Sequence, residues 1–426
     1  MNIFAKAVAD NKQIIKKILP MGMLRAVKKK YLDRLIRKYE KKPMQIEEFR
    51  KKEFGVNLIG DIRAEIGLGQ SIRLVANELE LSGYPFGIYD FQLGGNVRRG
   101  DTSWDHCIRE NYPYAVNLFH INPQEVALAY LYLNKDIWEN HYNIAFWLWE
   151  LETFPEEYIE TLKFFDEIWT PSEFAGNSIR KVTDKPVYTI PYYVLAEADG
   201  KFDRAYFDLP QDKFLYLTMY DTNSTMARKN PVGALNAYKK AFPEENPDVG
   251  LVIKVNNATE EDLGIIRKQI GNYQNVYFIT ETMDKIKVNS LIANVDVFVS
   301  LHRAEGFGLV MAEAMLLGTV CVATDWSSNT EFMDSGSACM VPFHKVEITE
   351  TSGNYKKGYS WAEPDVDAAA AYVRRLYEDL GYYQNLKEYG KKQIESVLGK
   401  ERIVGMLENR LEKIAKKKYG ISAGNA

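Results

Sequence analysis

Residues Val295–Trp326 read VDVFVSLHRAEGFGLVMAEAMLLGTVCVATDW. Val297 to Leu301 is a short apolar run rich in β-branched residues, the pattern of a buried strand, and Leu309 to Leu317 is an apolar helix ended by Gly318. A second apolar run, Val320 to Ala323, follows at once. Strand, loop, helix and strand in this order are the repeating unit of a parallel sheet. The polar residues do not fit packing alone. Glu313 stands by itself in the apolar helix, and a buried carboxylate without a partner costs several kcal/mol. The loop His302–Gly308 holds a second carboxylate, Glu305, eight residues before Glu313, and two glycines that let the backbone come close to a ligand. A helix N-terminus at Gly308 and Leu309 offers free N–H groups and a positive dipole end to phosphate. Carboxylates accept hydrogen bonds from sugar hydroxyls. The combination points to a sugar phosphate or a nucleotide sugar.

Glu305-Gly306-Phe307-Gly308-Leu309 followed by Glu313 resembles the E-x7-E signature of family 4 (group 1) retaining glycosyltransferases. The resemblance implies an α/β fold of the GT-B type, with two Rossmann-like domains facing an interdomain cleft. It also implies retaining transfer of a hexose-type sugar from a nucleotide-sugar donor to a hydroxyl of a glycan or lipid-linked acceptor, with no metal and no cofactor.

Composition agrees with a globular protein: 426 residues, 46% hydrophobic and 26% charged, enough for two or three domains. No apolar run approaches the ~20 residues of a membrane helix. Three cysteines, Cys107, Cys321 and Cys339, form no CxxC pair or disulfide framework, so a cytoplasmic location is expected. The early apolar residues are interrupted by Lys6, Asp10, Lys12, Lys16 and Lys17, unlike a signal peptide. The net charge of −4 is uneven: the first 42 residues hold thirteen Lys or Arg against Asp10, Asp33 and Glu40, a local +10 that leaves −14 for the rest.

That basic stretch is helical by pattern, with Leu24, Val27, Tyr31, Leu35 and Tyr39 three or four apart. It suits peripheral contact with an anionic membrane, or equally a solvated helix on the main body. Strands are then expected at Phe54–Ile59, Pro85–Phe91, Ala115–Ile121, Ile144–Trp149, Glu167–Thr170 and Val187–Ile190, with helices from Gln70 and after the N-cap Ser172. Gly67-x-Gly69 lacks the third glycine of the dinucleotide fingerprint, which disfavours a nicotinamide enzyme. His120 stands near the C-terminal end of its strand, where α/β sheets place ligands.

The polar, aperiodic segment 196–210 reads as a linker. Beyond it come strands at Phe214–Tyr220, Gly250–Val255, Val276–Ile279, Val297–Leu301, Val320–Ala323 and Ala338–Pro342, and a polar loop over Lys345–Tyr359. Arg228 and Lys229, just before Pro231 and a helix, form a candidate diphosphate clamp. Asp365-Val366-Asp367 has the form of a metal-binding DxD, but helix capping explains it more simply. The expected division is a basic extension over residues 1–52, an acceptor-side domain over 53–195, a linker over 196–210, a donor domain over 211–385 and C-terminal helices over 386–426 crossing back to the first domain.

The resemblance assigns roles residue by residue. Lys229 holds the donor diphosphate together with Arg228 or, failing that, Lys254, helped by backbone amides near Gly308 and Leu309; Gly306 and Phe307 are further substrate-binding residues of the same loop. Glu313 takes the ribose, Glu305 and His120 the donor sugar, and Gly67 and Gly69 match a glycine loop near the donor phosphate and the acceptor. Bacterial surface polysaccharide assembly is an expectation from the resemblance and from the basic N-terminal helix, and no nucleic-acid partner is implied. A GT-B epimerase and a non-catalytic sugar-binding scaffold are the alternative readings.

Overall fold

Six short apolar runs in the first half of the chain become six parallel strands. The computed structural model describes residues 21–92, 97–222, 224–243 and 246–419. The chain forms two units: the part up to Leu148 with Phe154–Tyr193 and the segment from Lys400 onward, and Trp149–Thr153 with Val194–Gly399.

In the first unit the strands are β1 (Glu53–Gly60), β2 (Phe86–Asp90), β3 (Tyr114–Phe119), β4 (Tyr142–Phe146), β5 (Glu167–Thr170) and β6 (Val187–Thr189), in the order β2-β1-β3-β4-β5-β6. All pair in parallel. Their register is marked by a buried asparagine ladder. Asn57, Asn117 and Asn143 are cross-strand neighbours, and Asn57 Nδ2 donates to Asn117 Oδ1 at 2.8 Å while Asn117 Nδ2 donates to Asn143 Oδ1 at 2.9 Å. A one-residue slip would separate these amides and leave buried polar groups unpaired.

Residues 1–20 of the basic extension lie outside the described residues. Helix α1 (Met21–Lys38) continues it, buries Ile36, and is followed by Tyr39 stacked on Phe164 at 3.8 Å. Helix α2 covers Gly67–Ser82, three residues earlier than the expected start at Gln70, so Gly67 and Gly69 form its first turn. A side chain at Gly69 would drive its Cβ into the Ala64 carbonyl oxygen, so this glycine lets the preceding loop fold over the helix. Helix α3 (Glu173–Arg180) has its expected N-cap in place: the Ser172 hydroxyl accepts from Ala175 N at 3.2 Å.

The C-terminal helix, Lys400–Tyr419, packs on α2 and buries Ile403, Leu407, Leu411 and Ile414. Its Arg410 donates to the fully buried Glu167, which also accepts from Tyr142 and Trp169 at 2.7 Å each.

The second unit repeats the plan with β7 (Phe214–Asp221), β8 (Val249–Asn256), β9 (Val276–Ile279), β10 (Val297–Ser300), β11 (Val320–Thr324) and β12 (Cys339–Val341), in the order β12-β11-β10-β7-β8-β9. Helices α4 (Pro231–Ala241), α5 (Glu260–Ile270), α6 (Lys285–Ala293), α7 (Leu309–Leu316), α8 (Val366–Glu378) and α9 (Leu380–Val397) complete it. The segment read as a linker is bound to this unit. Arg204 Nε donates to Asn294 O at 2.7 Å and its Nη2 meets Asp296 at 3.0 Å, while Asp199 N–H donates to Ser290 Oγ.

Three further expectations are corrected. The stretch 345–359 is not simply a loop: β13 (Phe343–Glu347) pairs antiparallel with β14 (Ser360–Pro364), and only the tip between them is irregular. The strand expected to reach Trp149 stops at Phe146, because the chain turns and Trp149–Thr153 joins the second unit. Helix α9, placed among the crossing helices, stays in the second unit, and the chain returns to the first only at Lys400.

Candidate active site

In an open parallel sheet the loops at the C-terminal strand ends diverge where the strand order reverses, leaving room for a ligand. In the second unit that point lies between β7 and β10. The chain leaving β7 forms a short helical turn, Met226–Lys229, and ends it on Asn230 at φ +52°. Asn230 caps α4 by accepting from Gly233 N at 3.1 Å and donates to Leu301 O at 2.9 Å, fastening the turn to the loop after β10. Arg303 strengthens the fastening: its N–H donates to Arg228 O at 2.8 Å and its guanidinium grips Glu363 at 2.6 and 2.9 Å.

This stitching brings Arg228, Lys229 and Glu305 together. Lys229 Nζ donates to Glu305 Oε1, and Arg228 Nη1 stands 3.2 Å from the same oxygen while donating to Ala304 O at 2.8 Å. Ser327 and Ser328 hold the Glu305 backbone, at 3.1 and 2.8 Å. Burial pushes the Glu305 carboxyl up, but Lys229 and Arg228 outweigh it and hold it down at about 2. Burial weighs against the Arg228 charge as well, yet Glu305, Tyr355 and Glu150 raise its pKa above the usual arginine range. For Lys229 burial prevails and its pKa is lowered. Arg228 Nε is buried without a hydrogen-bond partner among the described residues, a donor in reserve.

Gly308, at φ +91°, starts α7 with no side-chain cap, so the helix keeps amide donors for a ligand. Gly306 lies against the Trp149–Glu150 backbone, where an added Cβ would be 3.3 Å from Trp149 O. Phe307 is buried on Phe332 and Leu309 is half-buried at the start of the helix. Glu313 is fully buried, with Lys285 Nζ 2.6 Å from Oε2. That approach is an ion pair by distance but poorly directed for a hydrogen bond, so both oxygens still lack a well-aligned donor among the described residues. Burial raises the Glu313 pKa and Lys285 only partly offsets it.

Lys254 is not part of this group. Its buried amine donates to Asn256 Oδ1 at 2.6 Å and Glu281 O at 2.8 Å, and burial lowers its pKa to about 8. Arg228 is therefore the cation that shares Glu305 with Lys229. The Asp365-x-Asp367 pair is a cap, with Asp365 Oδ1 accepting from Asp367 N and Ala368 N at 2.9 and 3.0 Å. Among the described residues no cluster of three or more His, Cys, Asp or Glu could hold a metal.

In the first unit the strand order reverses between β1 and β3. His120 sits there, one residue past β3, and its N–H donates to Ile59 O at 2.8 Å. The ring is fully buried and stacked on Phe146, and Nε2 meets Ser71 Oγ at 2.7 Å, which in turn bonds the Tyr192 hydroxyl. Burial lowers its pKa to about 3, so the ring is neutral. Its Nδ1 edge has no partner among the described residues. A Cβ at Gly67 would meet nothing within 4 Å, leaving that helix start open.

Two residues that sequence reasoning passed over complete the second unit's group. Glu150 bonds the buried Tyr355 hydroxyl, and the Tyr355 ring lies 5.9 Å from the Arg228 guanidinium. Glu150 lies just past a stretch read as a strand and Tyr355 within one read as a loop, and no spacing rule marks either.

Known proteins share this plan. The description "Glycosyl transferases group 1" matches residues 210–393. No curated protein matches the chain. Among solved structures, sucrose-phosphate synthase from Thermosynechococcus elongatus aligns at TM-score 0.63 and 16% identity, over 86% of this chain and 100% of that one. Anabaena HepE, in complex with UDP and glucose, aligns at TM-score 0.60 and 11% identity over 85% and 100%. A glycosyltransferase from Rickettsia africae aligns at 0.62 and 12% over 85% and 99%. At these identities the likeness establishes the fold. The chain thus carries a group 1 glycosyltransferase domain on the two-unit Rossmann-like fold of GT-B enzymes.

Proposed function

We propose that this protein is a retaining glycosyltransferase that moves a hexose-type sugar from a nucleotide sugar to a hydroxyl of a glycan or lipid-linked acceptor, in bacterial surface polysaccharide assembly. The observation that carries the reading is the meeting of Arg228, Lys229 and Glu305 beside the uncapped start of α7, at the switch point of a parallel sheet. The HepE structures, in complex with UDP and glucose and with UDP-glucose, support a donor of this class.

In this reading Arg228, Lys229 and the amides at Gly308 and Leu309 neutralise the leaving diphosphate. The unaligned Glu313 oxygens take the ribose hydroxyls, and Glu305 takes the donor sugar. His120 is assigned to the same sugar through its Nδ1 edge. No residue is assigned as nucleophile; the acceptor attacks from the face the diphosphate leaves, and a phosphate oxygen takes its proton. The net change is one glycosidic bond formed for one sugar–phosphate bond broken.

Incubating the protein with UDP-, GDP- and ADP-sugars tests this. A selective rise in melting temperature with one nucleotide, followed by acceptor-dependent release of that nucleoside diphosphate, is the expected result. Sugar release or isomerisation without any acceptor would overturn the transferase reading.

A further inference from the structure

Glu313 is the only polar side chain of α7 and is fully buried. It lies four residues past Leu309, on the same helix face and about 6 Å further from the uncapped end, and helical side chains lean back toward that end. Neither of its carboxylate oxygens has a well-aligned donor among the described residues. An ionised carboxylate offers about four lone-pair sites, so most of its capacity to accept is unused.

The charge that faces it comes from another element. Lys285 is the first residue of α6, which packs on α7, and its Nζ stands 2.6 Å from Glu313 Oε2. The backbone around Lys285 is fastened on both sides. Asp284 caps α6 by accepting from Lys287 N at 2.9 Å, and the buried Lys254 near the end of β8 donates to Glu281 O at 2.8 Å, which holds the loop that enters the helix. The Lys285 side chain is 34% exposed against 0% for Glu313, so the pair opens to the surface on one side only. A buried pair that served packing alone would close its carboxylate with aligned hydrogen bonds, because leaving it without them is costly. Here the ammonium brings charge and leaves the lone pairs to another donor.

We propose, building on the donor reading above, that Lys285 is a positioning residue that holds Glu313 as a charged acceptor for the ribose hydroxyls, so that the site selects ribonucleotides over their deoxyribose counterparts. Burial favours the protonated carboxyl, and Lys285 opposes it. A carboxylate accepts from two hydroxyls at once, whereas a protonated carboxyl commits one oxygen to its own hydrogen. Bonds to the charged form are also about twice as strong. The role requires no contact between Lys285 and the nucleotide.

The test is calorimetric titration of the folded wild type, Lys285→Met, Lys285→Arg and Glu313→Gln with UDP, GDP and ADP, and with the 2′-deoxy and 3′-deoxy forms of whichever binds. In the wild type, loss of a hydroxyl that Glu313 holds should weaken binding about 10- to 100-fold, the usual worth of a hydrogen bond to a charged group. Lys285→Met keeps the stem and removes the charge, so its ribose-to-deoxyribose ratio should fall about tenfold, to that of Glu313→Gln. Lys285→Arg should keep most of the wild-type ratio. A merely structural loss of the ion pair would weaken ribose and deoxyribose forms alike and leave the ratio unmoved. The wild-type ratio in Lys285→Met, or equal losses in the Met and Arg variants, would overturn the proposal while leaving the donor site standing. A wild type that does not discriminate, or Glu313→Gln with the wild-type ratio, would overturn the assignment of Glu313 to the ribose and this proposal with it. Binding of none of the three nucleotides to the wild type would overturn the donor reading itself.

Discussion

Glu305 is the residue on which the second unit's chemistry turns, since it is buried and neutralised by two cations at once. Replacing it by glutamine keeps its shape and removes its charge. Transfer is expected to fall about 100-fold or more, the usual cost of losing one oriented electrostatic group, while the circular dichroism spectrum stays that of the wild type. The same charge sets an acid limit. The folded carboxyl, at about 2, lies below its ordinary 4.5, so its contribution is fully present above pH 4.5 and is lost as pH falls toward 2. Urea titrations should show the wild type losing about 3 kcal/mol more than Glu305→Gln over that window.

His120 gives a second window. Its folded pKa of about 3 lies below the ordinary 6.5, so the unfolded chain takes the proton first and stability declines as pH falls from 6.5 toward 3. His120→Asn should remove about one proton, or about 1.4 kcal/mol per pH unit, from that slope. At this scale the sequence was partly legible. The Arg-Lys pair and Glu305 were singled out in the sequence and the fold brings them together, whereas Glu313 meets Lys285 instead, and Glu150 and Tyr355 are far apart in the chain and no local pattern could pair them.

Among the elements, glycines show the same limit. Gly67 and Gly69 look alike in sequence, yet only Gly69 has a backbone carbonyl where its Cβ would go. Gly69→Ala should cost about 1–3 kcal/mol by overpacking, and Gly67→Ala should be neutral or stabilising by up to about 1 kcal/mol, as read by thermal melts. Strand existence was legible because these parallel strands are predominantly apolar, with the buried asparagines of β1, β3 and β4 as interruptions. Their ends were less so: the turn that removes Trp149 from β4 and the hairpin within 343–364 depend on partners distant in the chain.

For the whole molecule, the C-terminal helix is held in the first unit by its apolar stripe on α2 and by a buried ion pair. Arg410 lies 3.7 Å over the Tyr188 ring and supplies the charge that Glu167 lacks in the core. Arg410→Ala strands that carboxylate and should destabilise the first unit by about 3–5 kcal/mol, visible as a lowered transition in calorimetry with the second unit's transition unmoved. Two sets of alternating strands and helices could be read from the apolar runs; the reversal of strand order in each sheet and the return at Lys400 could be placed only from contacts.

The central claim is that Arg228 and Lys229 hold the diphosphate of a nucleotide sugar. The most direct measurement is the melting temperature of the wild type and Lys229→Ala against a panel of UDP, GDP, ADP and their sugars. A ligand at 100 times its dissociation constant adds about 2.7 kcal/mol to stability. A clear rise with one nucleotide is expected in the wild type, and its loss in Lys229→Ala. An equal rise in both proteins would contradict the claim.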